Sequence, residues 1–230
     1  MKPKRIILIR HGRSEGNADR NQYGIVPDYA LNLTVEGVEQ SRQAGVEIKK
    51  LIGDGSLYVY LSPYYRTRQT YQFILESVRE NVVNAVEDPR LREQDWGHLR
   101  DPEITAEISR ERKNFSRFYY RIPDGESGAD VFDRVSTFLE TLYRNFKKAD
   151  YPENVLIVTH GMTLRLFLMR WYHWSVEEFE TLRNPNNGQI VVMEREENGR
   201  YRLVSELEKK TKPLDDNDKK HPHNVTSRRT

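Results

Sequence analysis

Two hydrophobic runs, far apart in the chain, both stop at a histidine followed by a glycine. The first is Ile6-Ile7-Leu8-Ile9, which ends in Arg10-His11-Gly12. The second is Val155-Leu156-Ile157-Val158, which ends in Thr159-His160-Gly161. Short runs rich in β-branched residues read as strands buried on both faces, and such strands belong to sheets covered by helices on each side. Packing alone asks for more aliphatics or a plain turn at the strand end. A guanidinium and a titratable imidazole placed there instead suit attack on a phosphate.

The intervening pattern fits that sheet. Residues 4–10 read as a first strand. Thr34 is placed to cap a helix running to about Leu51, closed by Gly53-Asp54-Gly55. Residues 57–61 form a second strand, and Ser62-Pro63 opens the next helix, since proline is tolerated in a first turn. Residues 82–86 and 154–158 are the third and fourth strands, the latter preceded by a helix over 129–146. The stretch 127–134 is the start of that helix. Residues 189–194 and 200–204, joined through Glu197-Asn198-Gly199, form a closing hairpin. The expected fold is α/β: a three-layer sandwich with a mainly parallel central sheet, an antiparallel edge and flanking helices. Ligands in such sheets bind at the carboxyl ends of the strands, where Arg10-His11, Ser62-Pro63 and Thr159-His160 all fall. The apolar run 164–174 has helical spacing and is core. His173, among Trp171, Tyr172 and Trp174, is a packing or surface residue.

Composition narrows the class. With 230 residues, 37% hydrophobic and 31% charged, the chain is expected to form one domain over residues 1–206, with a cap-like insert at about 94–126. A net charge of +2 argues against nucleic acid as a partner. No apolar stretch approaches the roughly 20 residues of a membrane span. The short lead-in Met1-Lys2-Pro3-Lys4 leaves no room for a signal peptide, so a cytoplasmic protein is expected. The absence of cysteine removes disulfides, thiolate catalysis and zinc fingers. From Leu207 onward hydrophobes thin out, and a charged, disordered tail over 207–230 is expected; His221 and His223 lie in it.

A histidine attacks phosphorus only through a nitrogen that carries no proton. Arginines match phosphate oxygens bidentately and are always charged. A carboxylic acid must protonate the departing alkoxide, and water must then release the phosphohistidine. Each residue type stands at an element end: Arg10 beside His11, Arg66 opening the helix after strand two, Glu93 after strand three, and His160 after strand four. Glu87, Asp88 and Asp95 are near enough in sequence to compete with Glu93. Residues 94–97 build a loop wall, and His98 sits in the same polar loop.

Four motifs carry a resemblance. They are Arg10-His11-Gly12-Arg13-Ser14-Glu15-Gly16-Asn17, Ser62-Pro63-Tyr64-Tyr65-Arg66-Thr67-Arg68, Leu91-Arg92-Glu93 and Thr159-His160-Gly161, in that order. The chain resembles the histidine phosphatase (phosphoglycerate-mutase-like) superfamily over roughly residues 4–206. Phe118-Tyr119-Tyr120-Arg121 before Pro123-Asp124-Gly125-Glu126-Ser127, and Arg183-Asn184-Pro185-Asn186-Asn187, are similar to the plant and fungal branch. The resemblance implies that His11 becomes phosphorylated and that Glu93 is the proton donor. Arg10, Arg66 and His160 would surround the phosphoryl group, with Asn17 and Gly161 also contacting a small phosphorylated substrate; Arg13 is a further candidate substrate contact outside the family pattern. It implies no metal and no other cofactor, and it leaves the oligomeric state open.

Hydrolysis is expected over transfer, because the chain has Pro123–Ser127 and lacks the arginine- and proline-rich insert of glycolytic mutases. A 2,3-bisphosphoglycerate-dependent phosphoglycerate mutase, a fructose-2,6-bisphosphatase-like enzyme and a catalytically idle phosphate-binding module are the alternatives. The basic, aromatic segment 110–121 is either a solvated surface helix or a cap that meets the leaving group. Arg13 departs from the small or acidic residues of the family; it either favours polyanionic substrates or pairs with Glu15.

Overall fold

The computed structural model describes residues 2–97 and 102–210; His98, His221 and His223 lie outside them. Six strands form one sheet: β1 (Arg5–Arg10), β2 (Leu57–Leu61), β3 (Val82–Glu87), β4 (Asn154–Thr159), β5 (Ile190–Arg195) and β6 (Tyr201–Leu203). Their order is β3-β2-β4-β1-β5-β6. The first four strands are mutually parallel, β5 runs antiparallel to β1, and β6 runs antiparallel to β5. This is the expected α/β sandwich with its antiparallel edge.

Strand periodicity produces two cores. Ile6 and Leu8, Tyr58 and Tyr60, and Val155 and Ile157 face one side. Ile7 and Ile9, Val59 and Leu61, and Leu156 and Val158 face the other. Because successive side chains alternate, every central strand is apolar on both faces. On the second side lie α2 (Val35–Ile52) and α3 (Tyr65–Val78), through Ala44, Ile48, Ile74 and Val78. On the first lie α5 (Gly128–Asn145) and α6 (Gly161–Tyr172), through Phe138, Leu142, Leu164 and Phe167. A short α1 (Glu15–Ala18) follows β1, α4 (Pro102–Phe115) precedes α5, and α7 (Val176–Thr181) follows α6.

Side chains cap the starts of α2 and α5. Thr34 Oγ1 accepts from Gly37 N at 3.1 Å, and Ser127 forms a reciprocal capping box with Asp130 at the head of α5. His173 ends α6 in the left-handed conformation, φ 55°, its N–H bonded to Met169 O. Helix α3 begins at Tyr65, two residues beyond Pro63, and Tyr64 makes no side-chain cap. Ser62 is therefore not a helix opener; its hydroxyl is engaged with His160.

Residues 207–210, expected to open the charged tail, are bonded to the body of the chain. Leu207 packs on the first core, Lys209 bridges to Leu182, and Lys210 bonds Thr181 and Glu180 through its backbone and side chain. These antiparallel backbone bonds hold residues 207–210 despite their charge. Residues 211–230 lie outside the described residues. No helix among the described residues is long and apolar enough to cross a membrane.

Candidate active site

The sheet register brings three strand ends together. Arg10 is opposite Thr159, and Leu61 is opposite Val158; one residue further, His11 N donates to Thr159 O at 2.9 Å and Ser62 N to Val158 O at 3.0 Å. From β1 the chain leaves toward α2 on one face of the sheet, and from adjacent β4 toward α6 on the other. A crevice opens at such a switch point. His11 and His160 stand in it with ring centroids 5.1 Å apart. Gly12 makes the turn possible: a Cβ there would lie 2.2 Å from Gly37 O in the first turn of α2.

His11 is 3% exposed. Its Nδ1 lies 2.7 Å from Gly12 O, an acceptor only, so Nδ1 carries the proton and Nε2 is left with a lone pair. Arg66 Nε donates to that Nε2 at 3.2 Å. Burial, then Arg66 and Arg10, push the imidazole pKa well below its ordinary 6.5. His160 is also fully buried and held neutral, by burial first and then by Arg66. Its Nε2 is 2.8 Å from Ser62 Oγ, while Nδ1 has no partner among the described residues.

Arg66, on the first turn of α3, is the hub. Its guanidinium donates to Asp28 O at 2.6 Å and pairs with the Asp28 carboxylate at 2.9 Å, and it lies over the Tyr64 ring at 4.9 Å. Arg10 donates to Pro185 O at 2.7 Å, but its Nε is buried and unpartnered. The buried, unpaired Arg10 Nε beside a neutral imidazole leaves a place for an acceptor, since buried polar atoms are rarely left unpaired.

Glu93 sits at the N-terminus of α6. Its Oε1 accepts from Gln94 N at 3.0 Å and Thr163 Oγ1 at 3.3 Å, and its Oε2 from Met162 N at 3.3 Å. A carboxylate there meets the positive end of the helix. The loop behind it is clamped: Arg134 donates to the carbonyls of Arg90, Arg92 and Glu93 and pairs with Glu126 at 3.0 Å. Glu126, from the Pro123–Ser127 segment, also accepts from Asp95 N and pairs with Arg92.

His11, Arg10, Arg66, Glu93 and Asn17 all line one cavity of about 640 Å³. The Asn17 Oδ1 accepts from Ser14 N and from Asn187 Nδ2, which commits its oxygen and leaves the amide N–H groups as its donors. Gly161 opens α6 against Asn184, where a Cβ would come within 2.8 Å of that side chain. Arg13 does not join them. Its guanidinium pairs with exposed Glu36 at 2.5 Å rather than with Glu15, because α2 starts alongside it. No group of three or more His, Asp and Glu among the described residues is arranged to hold a metal ion.

Several site residues were not singled out from the sequence. Asp28 stands on a 3-10 turn whose chain carries no periodic signal, and nothing local marks it as Arg66's partner. Pro185 and Asn187, quoted above only as wording, hold Arg10 and the His11 carbonyl. From the 110–121 segment, Arg112 is buried, donating to Gln94 Oε1 at 2.7 Å with its charge over Trp96. Helix α4 places Ala106 and Ser109 on the cavity wall.

The whole body of the chain, residues 6–206, matches the model of the histidine phosphatase superfamily, branch 1, and the chain belongs to that superfamily. Among its relatives is a phosphoglycerate mutase-like protein of Arabidopsis thaliana, 45% identical over 88% of this chain and 68% of the relative. A broad-range acid phosphatase of Saccharomyces cerevisiae is 30% identical over 91% of each. Mycobacterial glucosyl-3-phosphoglycerate phosphatase shares the fold with a TM-score of 0.68 at 22% identity, over 88% of this chain and 98% of that one.

Proposed function

We propose that this chain hydrolyses phosphomonoesters through a phosphohistidine on His11. The observation that carries the reading is the lone pair on a buried, neutral His11 Nε2 beside Arg66. In the first step Nε2 attacks phosphorus, the N–P bond forms, the ester P–O bond breaks and Glu93 gives its proton to the leaving alkoxide. In the second, water attacks phosphorus, the N–P bond breaks, and the water proton goes to the Glu93 carboxylate. Arg10, Arg66, the Asn17 amide and the free Nδ1 of His160 hold the phosphoryl oxygens, where transition-state charge gathers. Side chains supply every role, so no metal is required. Hydrolysis is supported by the yeast relative named an acid phosphatase; mutase names among other relatives, such as one of Rhizobium etli at 29% identity, support the alternative of transfer.

The test is turnover of p-nitrophenyl phosphate and of 3-phosphoglycerate, each with a chelator and with or without 2,3-bisphosphoglycerate. Phosphate release that survives the chelator and needs no bisphosphate is expected. Isomerisation of 3-phosphoglycerate in preference to release would establish the mutase.

The site's electrostatics set an acid-tolerant profile. With His11 held neutral well below 6.5, the nucleophile survives into acid, and kcat/KM is expected to persist below pH 6. An acid limb centred at the ordinary histidine value would contradict that environment. Folding responds with the opposite tolerance. The unfolded chain takes up protons on His11 and His160 below about 6.5 while the folded one does not, so their contribution to stability is complete above that pH and declines as pH falls through it.

A further inference from the structure

A second cavity, of about 430 Å³, adjoins the first and shares Tyr23, Gly24, Ile25, Asp28 and Trp96 with it. Beyond that common wall it is lined by Val26, Pro27, Tyr29 and Tyr64. Its charged lining residues among the described ones are Asp28 and Asp95, both acidic. Ile25 and Tyr29 are 75% and 56% exposed at its edge among the described residues. The aromatic walls are held in place. Tyr64 meets the His160 ring edge-on at 5.1 Å and carries Arg66 at 4.9 Å. Trp96 has the buried Arg112 over one face at 5.0 Å.

We infer that this cleft receives the leaving group of the substrate, and that it selects a flat, aromatic group that is neutral or cationic over one bearing a further anion. The inference rests on the phosphatase reading of His11, which sets the phosphoryl end of the substrate in the first cavity. A ring leaving that cavity passes directly along Trp96 and Tyr23. Aromatic faces there gain by stacking and by burial of exposed apolar area. A carboxylate or second phosphate in the same place meets the Asp95 carboxylate, Asp28 being already paired with Arg66, and finds no cation among the described lining residues. The competing geometry is on the first cavity's wall, where Arg20 offers a charge to an anionic leaving group.

Two matched pairs of esters separate these outcomes, each scored by phosphate release. Phenyl and 2-naphthyl phosphate differ in ring area; glycerol 3-phosphate and 3-phosphoglycerate are both primary alkyl esters that differ by a carboxylate. A naphthyl-to-phenyl ratio of kcat/KM of about three to ten is expected, the range one aromatic contact supplies, with 3-phosphoglycerate no better than glycerol 3-phosphate. Trp96→Ala should bring the ring ratio toward one. Because Trp96 also supports Arg112, Ile25→Asp, on the exposed edge away from that contact, is a second variant and should lower the ratio too. An unchanged ratio in both variants, or a wild-type ratio near one with esters still hydrolysed, overturns the cleft assignment alone. A preference for 3-phosphoglycerate that disappears in Arg20→Gln would place the leaving group against Arg20 and overturn it as well. Failure to hydrolyse any of the four esters would instead remove the phosphatase reading beneath it.

Discussion

His11→Ala is expected to abolish acid-labile phosphate labelling and to lower kcat by about 10^4- to 10^6-fold, the scale on which loss of a nucleophile is felt. At 1.36 kcal/mol per decade this is about 5–8 kcal/mol of transition-state stabilisation. The effect is large because no other side chain can substitute. His160, the nearest imidazole, is tied through Nε2 to Ser62 and in the proposed role carries its proton on Nδ1, so it offers no lone pair, and the site holds no thiol. The substitution also strips Arg66 Nε of its acceptor, but Arg66 keeps both contacts with Asp28, so the pocket should persist. A thermal melt and retained binding of vanadate check this. Labelling that survives in the variant would move the nucleophile elsewhere and sink the assignment.

Glu93→Gln separates proton donation from phosphate binding. An amide has no acidic proton, so esters with poor alkyl leaving groups should slow by about 10^2- to 10^4-fold, the usual worth of a positioned general acid. With p-nitrophenyl phosphate, whose leaving group scarcely needs a proton, the loss should be within tenfold. The variant should fold: one oxygen keeps its bonds to Gln94 N and Thr163, while the amide nitrogen faces the Met162 N–H at the other position. That mismatch costs about 1–3 kcal/mol, readable in a urea melt. Equal losses on both classes of ester would shift the acid role to another carboxylate, and Asp28 is the first to test. It lines the same cavity, and burial raises its pKa even beside Arg66, with Glu93, Asp95 and the Tyr23 and Tyr64 hydroxyls around it.

Much of the architecture was legible because strand and helix periods are local properties. Alternation along 5–10, 57–61 and 154–159 makes each segment apolar on both faces, and a segment of that kind has few places to go except the middle of a covered sheet. The pairing of residues 207–210 was not legible for the complementary reason. Charge content marks 207–210 as unable to form a core, but these residues need none; backbone pairing with 181–183 and one leucine hold them. Ser62-Pro63 misled as a helix opener because a proline signal says where a helix is permitted, not what a neighbouring hydroxyl will bond.

By itself the sequence determined the layered α/β sheet and which residue types gather at its carboxyl edge, since both follow from spacing and chemical identity along the chain. Only the tertiary structure decided how those residues behave together. The proton position on His11 depends on Gly12 O, and its neutrality on burial beside Arg66 and Arg10. Arg66's restraint depends on Asp28, 38 residues away. Arg13's removal from the pocket depends on Glu36 at the start of α2. The tie between helix α4 and the loop after Glu93 depends on Arg112 reaching Gln94. Apart from the His11–Gly12 bond, which joins neighbouring residues, each of these is a contact between segments distant in sequence, set by strand register and helix packing, and no local pattern encodes it.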